Sequence, residues 1–515
     1  DLHASLAPSE MCIRDRYRRC VMRKVSILIA LMLMAPVVAQ ARTDGALRPS
    51  QATRQGQPSS TTASISFNAE TIELTLSDAI YLGLRDNRAI RSAYLDRIAQ
   101  KFDLRVAEDR FTPKLVLSGG YLSSRNQDDR YRESTVTPTT TLLTPYGTRV
   151  SLGWTYRHTQ ADQAGLSRND GANISLIQPL LRGAGKDIAT APVRLARLSE
   201  QANRLNLKST VSQTITQVIA SYRTLLQAQE QLKISRESLQ RARQLLEVNR
   251  AMIAAGRMAE FEIVQTEAEV ASQELAYEEA RNQTDTARLA LLQLLALNLN
   301  TPIVATEALQ ARRVDVNAAE ALRQAEALQP AWLSQLIYSE QATINLAVAR
   351  NDRLWDVSLV GGASQIRDRN TLSGSARTWE NYVGIQVEIP IGDLSTRQAE
   401  VQAQVNVRNQ EIQLAEARQQ LERDVANAVR DIGTRWRQYE IAQRALDLSR
   451  RKLEIEREKL TVGRSSNFQV LSFENDLRNA ENARLNALIS YLNAQAELDQ
   501  TLGTTLESWD ISLND

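Results

Sequence analysis

Two very long stretches of the chain contain no proline, and this absence constrains the fold more than any other feature. Residues 193–301 hold a single glycine, Gly256, and residues 391–515 also run without proline. Both stretches are dense in Ala, Leu, Gln, Glu and Arg, which favour helix formation. A helix over residues 189–255 would be ~100 Å long at a rise of ~1.5 Å per residue. No compact globular domain accommodates such a helix, so the pattern predicts a rod or a tube.

Within the second stretch, apolar or small residues return every three or four positions. They form the series Leu421, Val425, Ala428, Ile432, Trp436, Tyr439, Ala442 and Leu446. This spacing is typical of coiled coils, in which a narrow apolar stripe is buried against a neighbouring helix. We therefore expect the chain to oligomerise.

The N-terminal region carries the features of an export signal. Met22-Arg23-Lys24 precedes the apolar run Val25 to Val38, which ends in Ala39-Gln40-Ala41. The run has 14 residues, fewer than the roughly 20 that a membrane-spanning helix needs. Residues 22–41 are therefore interpreted as a signal peptide that is cleaved after Ala41.

The segments on either side of this signal are set aside from fold reasoning. Residues 1–21 look like translated vector or adapter sequence, and residues 42–70 form a polar stretch that we expect to be a flexible lead-in. Both cysteines, Cys12 and Cys20, lie in the first of these segments. The mature chain is therefore expected to be held together by burial and association without disulfides.

Charge and reactive-residue content argue against several function classes. The net charge is +2, which gives no electrostatic footprint for nucleic acid. The mature chain holds one histidine, His158, expected near a strand end, so His- or Cys-based metal sites and acid–base catalysis have little basis. Gly183-Ala184-Gly185-Lys186 resembles a phosphate-binding loop, but Asp187 follows the lysine where Ser or Thr is required. We interpret it as a glycine-rich turn between a strand and a helix, and we predict no enzyme activity, cofactor or metal.

Three short segments, residues 149–157, 355–359 and 382–389, alternate apolar and polar side chains. The alternation suits a membrane β-barrel with lipid outside and water inside, and it equally suits a soluble sheet with one wet face. The signal peptide, the lack of a second long apolar run and the shortage of further strands favour the barrel. The residues predicted to face lipid are Val150, Leu152, Trp154, Tyr156, Val383, Ile385 and Val387.

An internal duplication organises the whole chain. The two copies match at an offset of 242 in the first helix and strand, then at 211, and finally at 207 around the glycine turns. The drop from 242 to 211 leaves about 31 additional residues in the first copy, including residues 149–157. The matched segments are 115–120 with 357–362, 174–178 with 385–389, and Gly256-Arg257 with Gly463-Arg464. Each copy thus contains a helix, strands, a long helix, a tight turn and another helix, with about four core strands per chain.

This duplicated order resembles the TolC-like outer-membrane efflux proteins. The segments that carry the resemblance are Thr75 to Ile80, Gln178 to Gly183, Val387 to Gly392, and Leu460 to Arg464 running into Gln469-Val470-Leu471. The resemblance covers essentially the whole mature chain, with one repeat over residues 71–300 and a second over residues 301–515. It implies a mainly α fold, in which a homotrimer shares an α-helical barrel and a membrane β-barrel of twelve strands. It also implies a passive duct in the outer membrane of a Gram-negative-type bacterium, with a long periplasmic extension.

The resemblance further implies partners and two functional regions. The partners are outer-membrane lipid, a periplasmic adaptor, and an inner-membrane pump or ABC exporter, with no nucleic acid. The turns at Gly256, Arg257, Gly463 and Arg464 would dock the adaptor. The channel entrance would lie just past them, at Glu262, Gln265, Gln469 and Ser472. Similar proteins often have aspartates at the positions of Gln469 and Ser472, so a ring of aspartates cannot be carried over to this chain.

Two other functions remain as alternatives. A periplasmic coiled-coil adaptor or scaffold without a pore would also be exported and helical. Such a protein normally has one coiled-coil hairpin between small β domains, so the duplication argues against it. A periplasmic enzyme would need a reactive constellation that the sequence lacks. Drug, metal-ion and protein export cannot be separated from this chain, because the inner-membrane pump largely selects the substrate.

Overall fold

The computed structural model describes residues 71–125, 127, 130–162, 165–371, 374–392 and 394–513. The predicted upstream sequence, signal peptide, cleavage point and polar lead-in all lie outside these residues. Helices dominate the described part of the chain, and most strands belong to one antiparallel sheet. No helix in the described ranges combines the length and the apolar character that crossing a membrane requires.

Ten α-helices follow one another along the described chain. They are α1 (Leu76–Asp86), α2 (Arg88–Glu108), α3 (Lys186–Ala189), α4 (Ala191–Ala254), α5 (Glu262–Leu294), α6 (Ala318–Leu328), α7 (Pro330–Asp352), α8 (Leu394–Thr461), α9 (Asn467–Leu502) and α10 (Thr505–Ser508). The two longest are α4, with 64 residues, and α8, with 68 residues. Each is ~100 Å long, which agrees with the predicted helix over residues 189–255.

Eight β-strands in the described residues form two sheets. They are β1 (Ile72–Leu74), β2 (Lys114–Arg125), β3 (Arg130–Leu143), β4 (Arg149–Ala161), β5 (Gly165–Pro179), β6 (Ile303–Ala305), β7 (Asp356–Asn370) and β8 (Gly374–Glu388). Strands β1 and β6 pair in parallel. The other six form an antiparallel sheet in the order β2-β3-β4-β5-β7-β8, in which the β5–β7 pairing joins the two copies.

Each long helix packs along its length against several shorter ones. The first third of α4 lies beside α2, where the buried Arg97 pairs with Glu200, and its second half lies beside α5, where the Thr284 hydroxyl donates to the carbonyl of Ala228. Helix α8 repeats the arrangement with α7 and α9. The Arg353 guanidinium donates to Glu400 at a distance of 2.6 Å near the start of α8. One ~100 Å helix thus aligns two shorter helices end to end.

The helical segment from Leu76 to Glu108 is broken at Asn87 into α1 and α2. The Asn87 side chain accepts from the backbone N–H of Ala89 at 2.8 Å and donates to the Leu294 carbonyl at 2.8 Å. Its backbone is extended, so α1 ends and α2 begins there. Gln329, at the duplicated position, caps α7 in the same way by accepting from the N–H of Trp332 at 2.7 Å.

The large sheet has six strands, not the four core strands that the duplication predicts. The additional 31 residues of the first copy supply the difference. They fold as the hairpin β3–β4, which lies between β2 and β5 and pairs with both. Because successive side chains of a strand point to opposite faces of the sheet, two inserted strands extend both faces without changing which residues lie on each.

Two buried tyrosines hold the connection between the copies. The Tyr222 hydroxyl donates to the Leu74 carbonyl at 2.8 Å and accepts from the N–H of Glu307 at 3.3 Å. The Tyr491 hydroxyl donates to the Arg312 carbonyl at 2.7 Å and accepts from the N–H of Val314 at 3.1 Å. Because each hydroxyl satisfies backbone groups of the linker, the middle of the molecule is fixed by directional bonds as well as by burial.

We predict that deletion of residues 131–161 leaves a folded, four-stranded sheet. The duplication aligns Lys114 with Asp356 and Ile177 with Glu388. Because Asp356 of β7 pairs with Glu388 of β8, Lys114 of β2 is expected to pair with Ile177 of β5. Strands β2 and β5 would then pair with Leu115 opposite Leu176, and the two side chains already lie on the same side of the sheet. Hydrogen–deuterium exchange should show that the amides of β2 and β5 keep their protection.

A deletion of equal length, residues 357–387, is the matched control. It removes β7 with most of β8, and it breaks the pairing that joins the two copies. This control should lose protection throughout the sheet. Equal loss of protection in both deletions would contradict the interpretation of β3–β4 as an inserted hairpin.

Candidate functional site

The predicted docking turns and channel entrance lie where α4 leads into α5 and α8 into α9, and the predicted lipid-facing residues lie on the large sheet. At the turns, Gly256 and Gly463 both adopt left-handed backbone conformations, with φ of +70° and +75°. The N–H of Arg257 donates to the Met252 carbonyl at 2.9 Å, and the N–H of Arg464 donates to the Lys459 carbonyl at 2.8 Å. Each turn therefore ends its helix in a Schellman motif, which glycine favours because it lacks a Cβ.

A small buried network joins the two turns. The Asn249 Nδ2 group donates to the Thr266 hydroxyl and to Asn467 Oδ1, each at 2.8 Å. The Asn467 Nδ2 group donates to Thr266 Oγ1 at 3.0 Å, and all three side chains are at most 1% exposed. The network links α4, α5 and α9, so it holds the two helical hairpins at a fixed spacing. Sequence reasoning missed it, because isolated Asn and Thr residues on helices carry no distinctive pattern.

The four predicted entrance residues lie in or just beyond the first turns of α5 and α9. Glu262 is the first residue of α5, and its carbonyl accepts from Asn467 Nδ2 at 3.5 Å. Glu262, Gln469 and Ser472 are half-buried, and Gln265 is exposed. Within the described ranges, Glu262 forms no ion pair with Arg257 or Arg464. The Glu262 carboxylate of one chain can therefore interact with a neighbouring molecule or ion.

Charged side chains connect three helices close to these residues. Glu474 on α9 accepts from Arg241 on α4 at 3.0 Å and from Arg457 on α8. Glu481 lies 3.5 Å from Arg241. Burial raises the pKa of the Glu481 carboxyl, and the neighbouring Arg241 partly offsets that rise. This cluster fastens both long helices to α9 close to the turns.

Large apolar side chains are exposed beside the turns. Phe261 and Phe468 are 72% and 68% exposed, and they occupy duplicated positions. Val264 and Val462 are 63% and 68% exposed. Exposed aromatic residues next to a rigid turn are typical of a surface that binds another protein. The duplication matches Phe261 with Phe468, but the exposure of these two side chains is evident only from the structure.

On the large sheet, the strand register places all seven predicted lipid-facing residues on one face. Val150 pairs with Leu176, Leu176 with Gly361, and Gly361 with Val383, so these residues form one row across four strands. The remaining residues lie on the same face because they are an even number of positions from Val150 or Val383 along β4 or β8. We call this side of the sheet the apolar face.

The opposite side of the sheet is polar. One of its rows runs from Lys114 through Thr141, Ser151 and Ser175 to Gly362. The sheet thus has one face suited to an apolar environment and one suited to water. Trp154 and Val383 on the apolar face are 44% and 83% exposed, so nothing within the chain covers that face fully.

The residues considered for enzymatic chemistry lie in a strand and in a turn of the fold. Gly183 and Gly185 have φ of +78° and +91° and form the turn between β5 and α3, as predicted. His158 lies within β4 on the apolar face and is half-buried, three residues before the strand ends. Among the described residues, no group of His, Cys, Asp and Glu side chains is arranged to hold a metal ion.

The model of one protein family, described as outer membrane efflux protein, matches residues 79–297 and 317–504. These two matches fall one in each copy of the duplication. No curated protein sequence matches the chain at a significant level.

Solved structures of bacterial outer membrane channels are similar to the chain. The Campylobacter jejuni CmeC channel is 17% identical with a TM-score of 0.64, over 84% of this chain and 86% of that one. Vibrio cholerae VceC is 14% identical with a TM-score of 0.64, over 83% and 96%. The open state of Neisseria gonorrhoeae MtrE is 17% identical with a TM-score of 0.64, over 84% and 89%. These similarities confirm the predicted TolC-like fold.

We predict that Asn467→Ala loosens both turns. The substitution removes an acceptor of Asn249 and a donor to Thr266 inside a buried network, at an expected cost of about 1–3 kcal/mol. Hydrogen–deuterium exchange at residues 256–261 and 463–466 should become faster. Gln265→Ala, which alters an exposed amide next to Thr266, is the control and should leave the exchange unchanged. Unchanged exchange in Asn467→Ala would show that the network does not hold the turns.

Proposed function

The chain belongs to the outer membrane efflux protein family, and we propose that it is the passive exit duct of a tripartite efflux or type I secretion system. The main support is the match of the family model to both copies of the duplication. The arrangement of the molecule adds to it, since a sheet with an apolar face stands at one end of ~100 Å helices and paired turns stand at the other. The sheet would span the outer membrane, and the helices would extend into the periplasm.

A homotrimer would supply the partners that a single chain lacks. Strands β2 and β8 are the edges of the sheet, and each has a free side within the described chain. In lipid an open edge leaves backbone N–H and C=O groups without hydrogen bonds, so the edges must pair with neighbouring chains. On α8, Val401, Val405 and Ile412 are 49–59% exposed and would be buried against a neighbouring helix.

Three chains with six strands each would close a barrel of eighteen strands. The four-strand prediction implied twelve. Since barrel diameter grows roughly in proportion to strand number, the outer-membrane section would be about one and a half times as wide as a twelve-stranded barrel. The β3–β4 hairpin of each chain would form part of the wall.

The turns would dock a periplasmic adaptor. Gly256-Arg257 and Gly463-Arg464 sit beside the exposed Phe261 and Phe468, so each turn combines a cation with an aromatic ring. Such a pair suits a protein surface that offers apolar and acidic groups. The adaptor would connect the duct to an inner-membrane pump or ABC exporter, which supplies the energy and selects the cargo.

The mass of the purified protein in detergent and its conductance in a planar bilayer test this proposal together. We expect a trimer and discrete, stable conductance steps, because a closed trimeric barrel would enclose a water-filled path. A stable monomer without conductance would overturn the proposal and would favour the poreless adaptor or scaffold.

We predict that charge on the apolar face of β8 is not tolerated. Arg in place of Ile385 or Val387 should cost about 2–4 kcal/mol if the side chain meets the bilayer midplane. Gln386→Arg, which lies between them on the polar face, is the matched control and should have a much smaller effect on stability. The measurement is the yield of folded trimer after refolding into lipid vesicles. Equal yields for the three variants would contradict the assignment of this face to lipid.

We predict that Glu262 gives the entrance a modest preference for cations. Three symmetry-related Glu262 carboxylates would focus a negative field over the opening. Glu262→Gln should reduce cation selectivity in bilayer recordings, and Gln469→Asp should increase it and promote block by multivalent cations. If neither change alters selectivity, these positions do not line the entrance, and the register carried over from the family resemblance is wrong.

A further inference from the structure

The apolar face of the sheet becomes strongly basic toward one end. That end holds the hairpin turns β2–β3, β4–β5 and β7–β8, and it is opposite the end where the strands join the helices. By register, Tyr156 pairs with Asp170, Asp170 with Arg367, and Arg367 with Arg377, so these residues share the face of Tyr156. The arginines on the apolar face at this end are Arg125, Arg130, Arg132, Arg168, Arg367, Arg369 and Arg377. We call them the arginine band.

The described residues provide almost no counter-charge for this band. Asp170 is the one carboxylate that the described strands place on the apolar face. Within the described residues, six of these arginines form no ion pair, namely Arg125, Arg132, Arg168, Arg367, Arg369 and Arg377. On the polar face, by contrast, Arg157 lies 3.4 Å from Glu133. The unpaired cations are therefore concentrated on one side of the sheet.

Aromatic residues mark the level at which the band begins. Trp154 and Tyr156 stack with their ring centroids 6.2 Å apart. Trp379 lies on the same face two residues from Arg377, and it is 73% exposed. Trp and Tyr gather at the boundary between hydrocarbon and headgroups. The apolar rows would thus lie in hydrocarbon, the rings at the boundary, and the arginines among the headgroups.

We propose that the arginine band binds the phosphate groups of outer-leaflet lipids. This inference rests on the proposed function, which places the turn end of the sheet at the outer surface because the helices leave from the other end. Guanidinium groups bind phosphate through two parallel hydrogen bonds. Cations that face lipid without partners are costly unless their heads reach anionic headgroups, which long arginine side chains can do. A lipid with more than one phosphate matches several closely spaced arginines better than a lipid with one.

The test uses the full trimer and lipid A as the phosphorylated probe. Native mass spectrometry of the trimer in detergent, with added lipid A, counts the retained lipid molecules. A variant with Arg367→Gln, Arg369→Gln and Arg377→Gln should bind lipid A at least about tenfold more weakly, because charge-assisted hydrogen bonds are lost. Arg149→Gln with Arg157→Gln, on the polar face, is the control and should bind lipid A normally. The corresponding triple Lys variant keeps the charge and should bind with intermediate affinity.

Several results would overturn the proposal. They are equal lipid A binding by the triple Gln variant, equal binding of dephosphorylated lipid A by the unaltered trimer, and displacement of lipid A by millimolar inorganic phosphate. If the triple Gln variant does not assemble, the test depends on the triple Lys variant. An unchanged affinity of that variant for lipid A would exclude the paired guanidinium–phosphate hydrogen bonds. Bilayer conductance distinguishes failure of the proposed lipid site from failure of the proposed duct. An unaltered protein that conducts but does not retain lipid A refutes the lipid site alone, whereas one that neither conducts nor forms a trimer refutes the duct.

Discussion

A helix of more than sixty residues cannot bury its apolar side chains against itself, and the architecture follows from the surfaces that do bury them. In this chain α4 packs against α1, α2, α5, α7 and α9, and α8 packs against α6, α7 and α9. This packing still leaves side chains of α8 such as Ile412 and Leu448 well exposed. The free edges of the six-stranded sheet impose the same requirement in a different form. The proposed trimer would supply neighbouring chains for both the helices and the strand edges.

Regular patterns in the sequence predicted the regular parts of the fold. The long proline-free stretch predicted α4 to within two residues at its start and one at its end. Strand alternation put Val150 and Val383 among the residues predicted to face lipid, and the strand register places both on one face of the sheet. The glycine turns were readable because only glycine adopts their left-handed conformation easily.

Features that depend on single polar contacts were not predictable. The break at Asn87 interrupts a segment whose residues favour helix throughout, and it depends on a carbonyl of Leu294 more than two hundred residues away. The Asn249–Thr266–Asn467 network combines residues from three helices. The β3–β4 hairpin has no counterpart in the second copy, so the duplication could indicate its length but not its pairing. In each case the decisive partner is distant in sequence.

The inserted hairpin has a consequence for how such an assembly can change in size. A hairpin contains two strands, so its insertion between β2 and β5 leaves both of them antiparallel to their new neighbours. A single additional strand would reverse that direction and send the following helix to the wrong side of the membrane. In an assembly with threefold symmetry each insertion acts three times. The circumference of the wall can therefore grow only in steps of six strands, and pore width in this architecture is a discrete variable that small sequence changes cannot adjust gradually.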